Sequence, residues 1–128
     1  MPPTRYLTKS RFKLGLECPT KLYYTGKKEY ANTKLEDKFL ESLAQGGFQV
    51  GELAKLYFPS GIEIFEKDNA IAYEKTVPLM TQKNATIFEA AIRHEKFFIR
   101  ADIIVKKGNV IHLIEVKAKG FSPTNSDF

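Results

Sequence analysis

The sequence predicts an α/β domain in which helices come first and a three-stranded antiparallel meander comes last. Two observations carry this. In the first part of the chain, apolar residues recur at helical spacing between Pro and Gly punctuation. Beyond Thr86 the composition shifts to β-branched and aromatic runs, interrupted by the turn signal Lys106-Lys107-Gly108-Asn109. A length of 128 residues suffices for one compact domain, and 43% hydrophobic with 27% charged residues is an ordinary soluble composition. The expected organisation is a single domain over 1–128, with a basic helical segment at 1–30 and a loop or disordered end at 121–128.

The elements follow in order. Thr8 to Tyr24 reads as one or two short helices, with Thr8 or Ser10 as cap and a break at Cys18-Pro19, since Pro19 can start a helix but disrupts one in progress. Gly26 ends the segment. Thr33-Lys34-Leu35-Glu36 is a capping-box pattern, and Leu35, Phe39 and Leu43 then mark an amphipathic helix that Gly46-Gly47 stops or bends. Val50, Leu53, Ala54 and Tyr57 predict a second helical stretch, ending before Pro59-Ser60-Gly61. Ile62 and Ile64 suggest a short extended piece. Asp68 or Asn69 caps a helix to about Thr76, with Pro78 breaking or restarting it. Strands are expected at Thr86–Ile92, Lys96–Val105 and Val110–Lys117.

No run of eighteen apolar residues is present, so no membrane partner is expected. The opening Met-Pro-Pro-Thr-Arg lacks an apolar signal core, and the lone Cys18 suits a reducing compartment; both favour a cytoplasmic location. The net charge of +5 is uneven. Residues 1–30 hold seven basic and two acidic side chains, whereas 31–128 balance. Such a local basic surface attracts a polyanion by counterion release, or is merely a solvated helix face. Lys9, Arg11, Lys13 and Lys21 are the candidate DNA-binding residues.

The chemistry-bearing residues lie on the last hairpin. A two-residue Gly108-Asn109 loop pairs Lys107 with Val110 and sets Asp102 opposite Glu115, with Cβ atoms about 5 Å apart. A Lys107-Gly108 loop leaves them diagonal on the same face. Alternation puts Lys117 on the side of Glu115, so two carboxylates and an ammonium gather within roughly 7 Å. Carboxylates so close repel unless a divalent cation relieves them. Mg²⁺ or Mn²⁺ accepts hard oxygen ligands, here Asp102, Glu115, the Val116 carbonyl and waters. A bound water would be polarised toward hydroxide, and Lys117 would steady the charge growing on a phosphate. The plain alternative is an exposed hairpin face carrying a cross-strand salt bridge.

Asp102 followed on the next strand by Glu115-Val116-Lys117 resembles the D…(E/D)xK core of the PD-(D/E)XK nuclease superfamily. Leu7-Thr8-Lys9-Ser10, then Leu16-Glu17-Cys18-Pro19-Thr20-Lys21-Leu22-Tyr23-Tyr24, is similar to the opening of RecB-like and CRISPR-associated exonucleases. Gly47 to Ala54 resembles the helix bearing that family's first motif, and Thr86 to Ala91 the strand before the catalytic Asp. The matches span roughly residues 7–120. The resemblance implies a restriction-endonuclease-like core, a DNA substrate, Asp102 and Glu115 as metal ligands assisted by Val116, and Lys117 as the catalytic lysine.

It also implies Glu52 as a first-motif carboxylate, less strictly matched, with Lys55 near the place where many relatives carry a metal-binding His. Glu89 either points into the same cleft or sits on an exposed strand face. His112 reads as structural. Some relatives use the Cys of this opening in a four-cysteine iron–sulfur cluster; one cysteine cannot hold such a cluster, so Cys18 is expected to be a small buried apolar residue. The family's usual C-terminal helix and strand are missing after Glu115-Val116-Lys117, which suggests further domains of a longer parent and an exposed sheet edge open to self-association. The expected function is metal-dependent hydrolysis of DNA, as an exonuclease in repair, recombination or defence. The alternative is an inactive nuclease-like module that binds nucleic acid or protein.

Overall fold

The computed structural model describes residues 5–30 and 37–119. The capping box at Thr33 to Glu36 and the end at 121–128 lie outside the described residues. Within them the chain is an α/β fold: a mixed five-stranded sheet with helical segments packed on both faces.

The chain enters as a two-residue strand, β1 (Leu7–Thr8), and passes directly into α1 (Lys9–Glu17). Thr8 caps α1, its side chain accepting the Arg11 N–H. Cys18, extended at φ −160°, ends α1, and Pro19 opens α2 (Pro19–Tyr24) as its first residue. The break expected at Cys18-Pro19 is therefore present. Gly26, at φ 82°, follows the helix in the left-handed region that suits glycine.

The helix α3 (Lys38–Lys55) starts on Asp37, whose carboxylate accepts the Phe39 and Leu40 N–H groups. It runs unbroken through Gly46-Gly47, contrary to the expected stop or bend. Each glycine costs a helix about 1 kcal/mol relative to alanine, which capping and eighteen continuous residues absorb. Much of its apolar stripe, including Phe39, Leu43 and Phe48, is exposed among the described residues.

After α3 come β2 (Ile62–Glu63) and α4 (Asn69–Thr81), the latter capped by Asp68. Pro78 neither breaks nor restarts α4; it lies within the last turn and the helix continues to Thr81. Then β3 (Asn84–His94), β4 (Phe97–Lys107) and β5 (Val110–Ile114) form the expected antiparallel meander. The register of its last hairpin is the one set by a Gly108-Asn109 turn: Lys107 pairs with Val110 and Ile103 with Ile114. Gly108 takes a positive φ of 58° there.

Two departures from the expected sheet matter for the site. First, β1 and β2 add parallel pairings, β1 to β4 and β2 to β3. Two-residue strands give no readable alternation. Second, β5 ends at Ile114 and not at Lys117. Because β3 occupies one side of β4 along its length, β1 and β5 share the other side. β1 lies at Phe97–Phe98 and β5 at Ile103–Lys107, leaving residues 99–102 without a strand partner on that side. The outer edge of β5 is unpaired among the described residues, as expected.

The core has two halves. On one face α4 brings Ala72, Tyr73 and Leu79 against Ile87, Ala91, Phe98 and Ile104. On the other, Ala54 and Phe58 close over Phe88, Ile103 and Val105, joined by Ile114 and Val116. Gly61 passes so near Phe88 that a Cβ there would stand 2.2 Å from the ring, so the close packing requires glycine.

Thr76 is the buried polar residue at the α4–β3 seam. Its hydroxyl donates to the Ala72 carbonyl (2.8 Å) and accepts the Ala91 N–H (3.0 Å), stitching helix to strand. Thr76→Val keeps the shape but strands the Ala91 N–H, and is expected to cost about 1–3 kcal/mol in urea unfolding with an unchanged m-value.

Candidate functional site

The gap beside β4 is where the chain sets its charged groups. Asp102, at the end of the unpaired stretch, is half-buried, and its Oδ2 accepts the Val116 N–H at 2.7 Å. Strand pairing stops at Ile103 and Ile114, one pair short of Asp102 and Glu115. Past that point the Asp102 carboxylate takes over, holding the segment after β5 against β4.

A cleft of about 530 Å³ opens here. Asp102, Val116 and Glu89 line it from the sheet side, Glu52 and Lys55 from α3, and Glu63 from β2. Of the residues singled out in the sequence, the cleft thus gathers Asp102, Glu52, Glu89 and Val116. Glu115 and Lys117 do not line it. They sit at its margin, where Glu115 is ion-paired with both Lys117 and Lys9. Hydrogen bonds from Lys117 first, and then Lys9, hold the Glu115 carboxyl below its ordinary range. The same bond to Glu115 raises the Lys117 pKa, with a further pull from the charge of Asp102. Lys117 is therefore a stably protonated ammonium within electrostatic reach of Asp102.

Inside the cleft, Lys55 bridges Glu52 (2.6 Å) and Glu63 (2.5 Å). Burial disfavours its charge, but the two carboxylates outweigh that and raise its pKa. Arg100 donates to the carbonyls of Glu66 and Ile64, both at 2.8 Å, and its buried Nε has no partner among the described residues. Glu63 and Arg100 escape a motif search, yet Arg100 precedes Asp102 by two residues on β4, and period two brings such residues to one face.

Glu89 is the strained member. It lies across from Asp102 between the pairs Phe88–Ile103 and Ala90–Ala101, but takes φ 55° and leaves the ladder. A non-glycine residue in this region costs on the order of 1–3 kcal/mol and persists only where its surroundings impose it. Its half-buried carboxylate accepts no hydrogen bond from the described residues. Burial raises its pKa most; Arg100 pulls it back and Asp102 adds to the rise. Of the two readings of Glu89, cleft or exposed strand face, the structure takes the first.

Among the described residues no three His, Cys, Asp or Glu side chains stand close enough to form a ready metal cage. The donors present are nonetheless hard oxygens, the type that Mg²⁺ and Mn²⁺ prefer, and Mg²⁺ is commonly held by one or two carboxylates together with waters and phosphate oxygens. His94 and His112 are exposed and do not line the cleft.

The basic residues of the first helices divide. Lys9 is committed to Glu115, and Arg11 donates to the Tyr6 carbonyl (2.6 Å). Lys13 and Lys21 are exposed, with no ion pair among the described residues. Cys18 is a free thiol, half-buried between α1 and α2, where full burial was expected; its backbone serves both helix ends, which keeps it near the surface.

No protein-family model matches the chain, nor does any curated protein or solved structure. The site therefore has to be read from its own chemistry.

Glu89 supplies a direct test of the cleft's electrostatics. With its folded pKa raised above the ordinary 4.5, the penalty for its charge is absent below pH 4.5 and complete above the folded value. Glu89→Gln is thus expected to raise Tm by a few degrees at pH 7, with the gain fading as the pH falls toward 4. A Tm unchanged or lowered at pH 7 contradicts the assignment.

Proposed function

We propose that the cleft belongs to a divalent-metal-dependent nuclease of the PD-(D/E)XK type, with a restriction-endonuclease-like core, acting on DNA. The observation that carries this reading is the Asp102–Val116 hydrogen bond. It ties the strand bearing the candidate Asp to the Glu-Val-Lys segment, in the register that places them side by side. The resemblance of the RecB-like opening and the basic first quarter support it.

Asp102 and Glu89, with the Val116 carbonyl, are the groups that would hold Mg²⁺ or Mn²⁺. Glu115, at the margin of the cleft, would join them on exchanging its Lys9 and Lys117 ammoniums for the ion. When bound, the ion supplies a polarised water and offsets charge on the phosphate. The chain's own part is positioning. Lys117, protonated and exposed, faces the phosphate being attacked and stabilises the charge that develops on its oxygens. Lys13 and Lys21 contact the backbone of the bound strand without reading its sequence.

Incubated with linear DNA and Mg²⁺ or Mn²⁺, the wild-type chain is expected to degrade it, and Asp102→Ala or Lys117→Ala to lower the rate by about a hundredfold or more. Undiminished metal-dependent cleavage in both variants defeats the proposal.

A second reading has an observation of its own. Glu52 and Glu63 are already satisfied by Lys55, and Glu115 by Lys9 and Lys117, so most of the acidic groups are neutralised without a metal. This favours a nuclease-like module that grips nucleic acid without cutting. Calorimetric titration with Mn²⁺ separates the two. Saturable binding that weakens at least about tenfold in Asp102→Asn supports the enzyme; absence of binding supports the module.

A further inference from the structure

A second depression lies away from the cleft, against the first two helices. This groove of about 350 Å³ is lined by Arg5, Arg11, Pro19, Leu22 and Tyr23, among others. That volume is in the range of small-molecule sites, roughly 300–1,000 Å³. Each arginine is anchored by a backbone carbonyl, Arg5 on Leu22 (3.3 Å) and Arg11 on Tyr6 (2.6 Å). A guanidinium has five N–H donors, so anchoring fixes its position and leaves others for an anion.

At the margin of the groove three tyrosines form a chain. Tyr23 meets Tyr24 edge-on at 5.0 Å, and Tyr24 meets Tyr30 at 4.5 Å. The Lys27 ammonium stands 3.6 Å from the Tyr23 ring centre. Tyr23 nevertheless remains 60% exposed and Tyr30 53%. The exposed parts of these rings order the water against them, and neighbouring cations repel one another. Both costs vanish if the ligand is flat, apolar on its faces and strung on a polyanion.

We propose that this groove and its tyrosine margin bind single-stranded nucleic acid, with a base stacked on Tyr23 and the adjoining phosphates held by Arg5, Arg11 and Lys21. Cations alone would suit a duplex equally well. Exposed aromatic rings favour unpaired bases, because a base within a duplex already has both faces stacked. The groove is separate from the cleft, so this binding does not rest on the cleft cutting DNA. The two are linked through α1, whose first residue, Lys9, pairs with Glu115 beside the cleft residue Val116.

The test is fluorescence anisotropy on the full chain in EDTA, where no metal-dependent cleavage occurs. The probes are labelled oligothymidylate, oligouridylate and a duplex of equal length. At least one single strand is expected to bind about tenfold or more tighter than the duplex. Tyr23→Ala is expected to weaken single-strand binding about tenfold, whereas Tyr23→Phe, which keeps the ring, leaves it unchanged. Lys21→Ala, at an exposed position, is expected to reduce the slope of log affinity against log salt by about one. A preference between the deoxy and ribo strands identifies the sugar and supports the proposal either way. Equal or tighter binding of the duplex, equal losses in Tyr23→Ala and Tyr23→Phe, or an unaltered slope in Lys21→Ala overturns it. Because metal is absent, failure of the cleavage reading leaves this result standing, and failure here leaves the cleavage assay untouched.

Discussion

The hydrogen bond from the Val116 N–H to the Asp102 carboxylate is the constraint around which the site is built. β4 is paired along one side by β3 but receives two partial neighbours on the other, and residues 99–102 fall between them. A backbone edge left open beside a core must find partners or be solvated. Asp102 closes the upper end of that gap with a side chain where a strand would have used a carbonyl. This extends the hold of β4 on the last segment by one step beyond the ladder and commits a half-buried carboxylate to that place. Charge-assisted bonds of this kind are stronger than neutral ones, so Val116 and its neighbours Glu115 and Lys117 are held near the cleft although they belong to no strand.

Around that anchor the charges are nearly balanced. Lys55 is shared between two glutamates, Glu115 is shared between two lysines, and Arg100 is clamped to two carbonyls. Glu89 stands apart from this economy of partners. It has a strained backbone and a carboxylate that burial disfavours and no described residue hydrogen-bonds. Folding places this group at a cost in both backbone and electrostatics: glycine would relieve the first and glutamine the second.

The meander and its register were legible because they depend on local signals. Gly108 and Asn109 determine a two-residue turn, and period two carries the pairing back toward Asp102. The caps at Thr8 and Asp68 and the break at Pro19 were legible for the same reason: a side chain or a missing N–H acts within one turn. The continuity of α3 through Gly46-Gly47 was not legible, because a glycine's helix penalty is small enough for the rest of the helix to override. Nor were β1 and β2, whose two residues each carry no pattern. The candidate site was half legible. Asp102 and Val116 were expected in it, whereas Glu115 was placed by alternation in a strand that ends one residue too soon.

By itself, then, the sequence determined which elements form and which pairs of residues are near in register, since both follow from short-range sterics and hydrogen bonding. It also located the whole excess of positive charge in the first thirty residues. Only the tertiary structure decided that β1 and β5 share one side of β4, that the gap between them is closed by Asp102, and that Glu89 turns out of its ladder to face the cleft. Those outcomes depend on how α4 covers one face of the sheet and how Ala54, near the end of α3, and Phe58 beyond it close on the other. Packing of that kind is set by contacts between segments distant in sequence, and no local pattern encodes it.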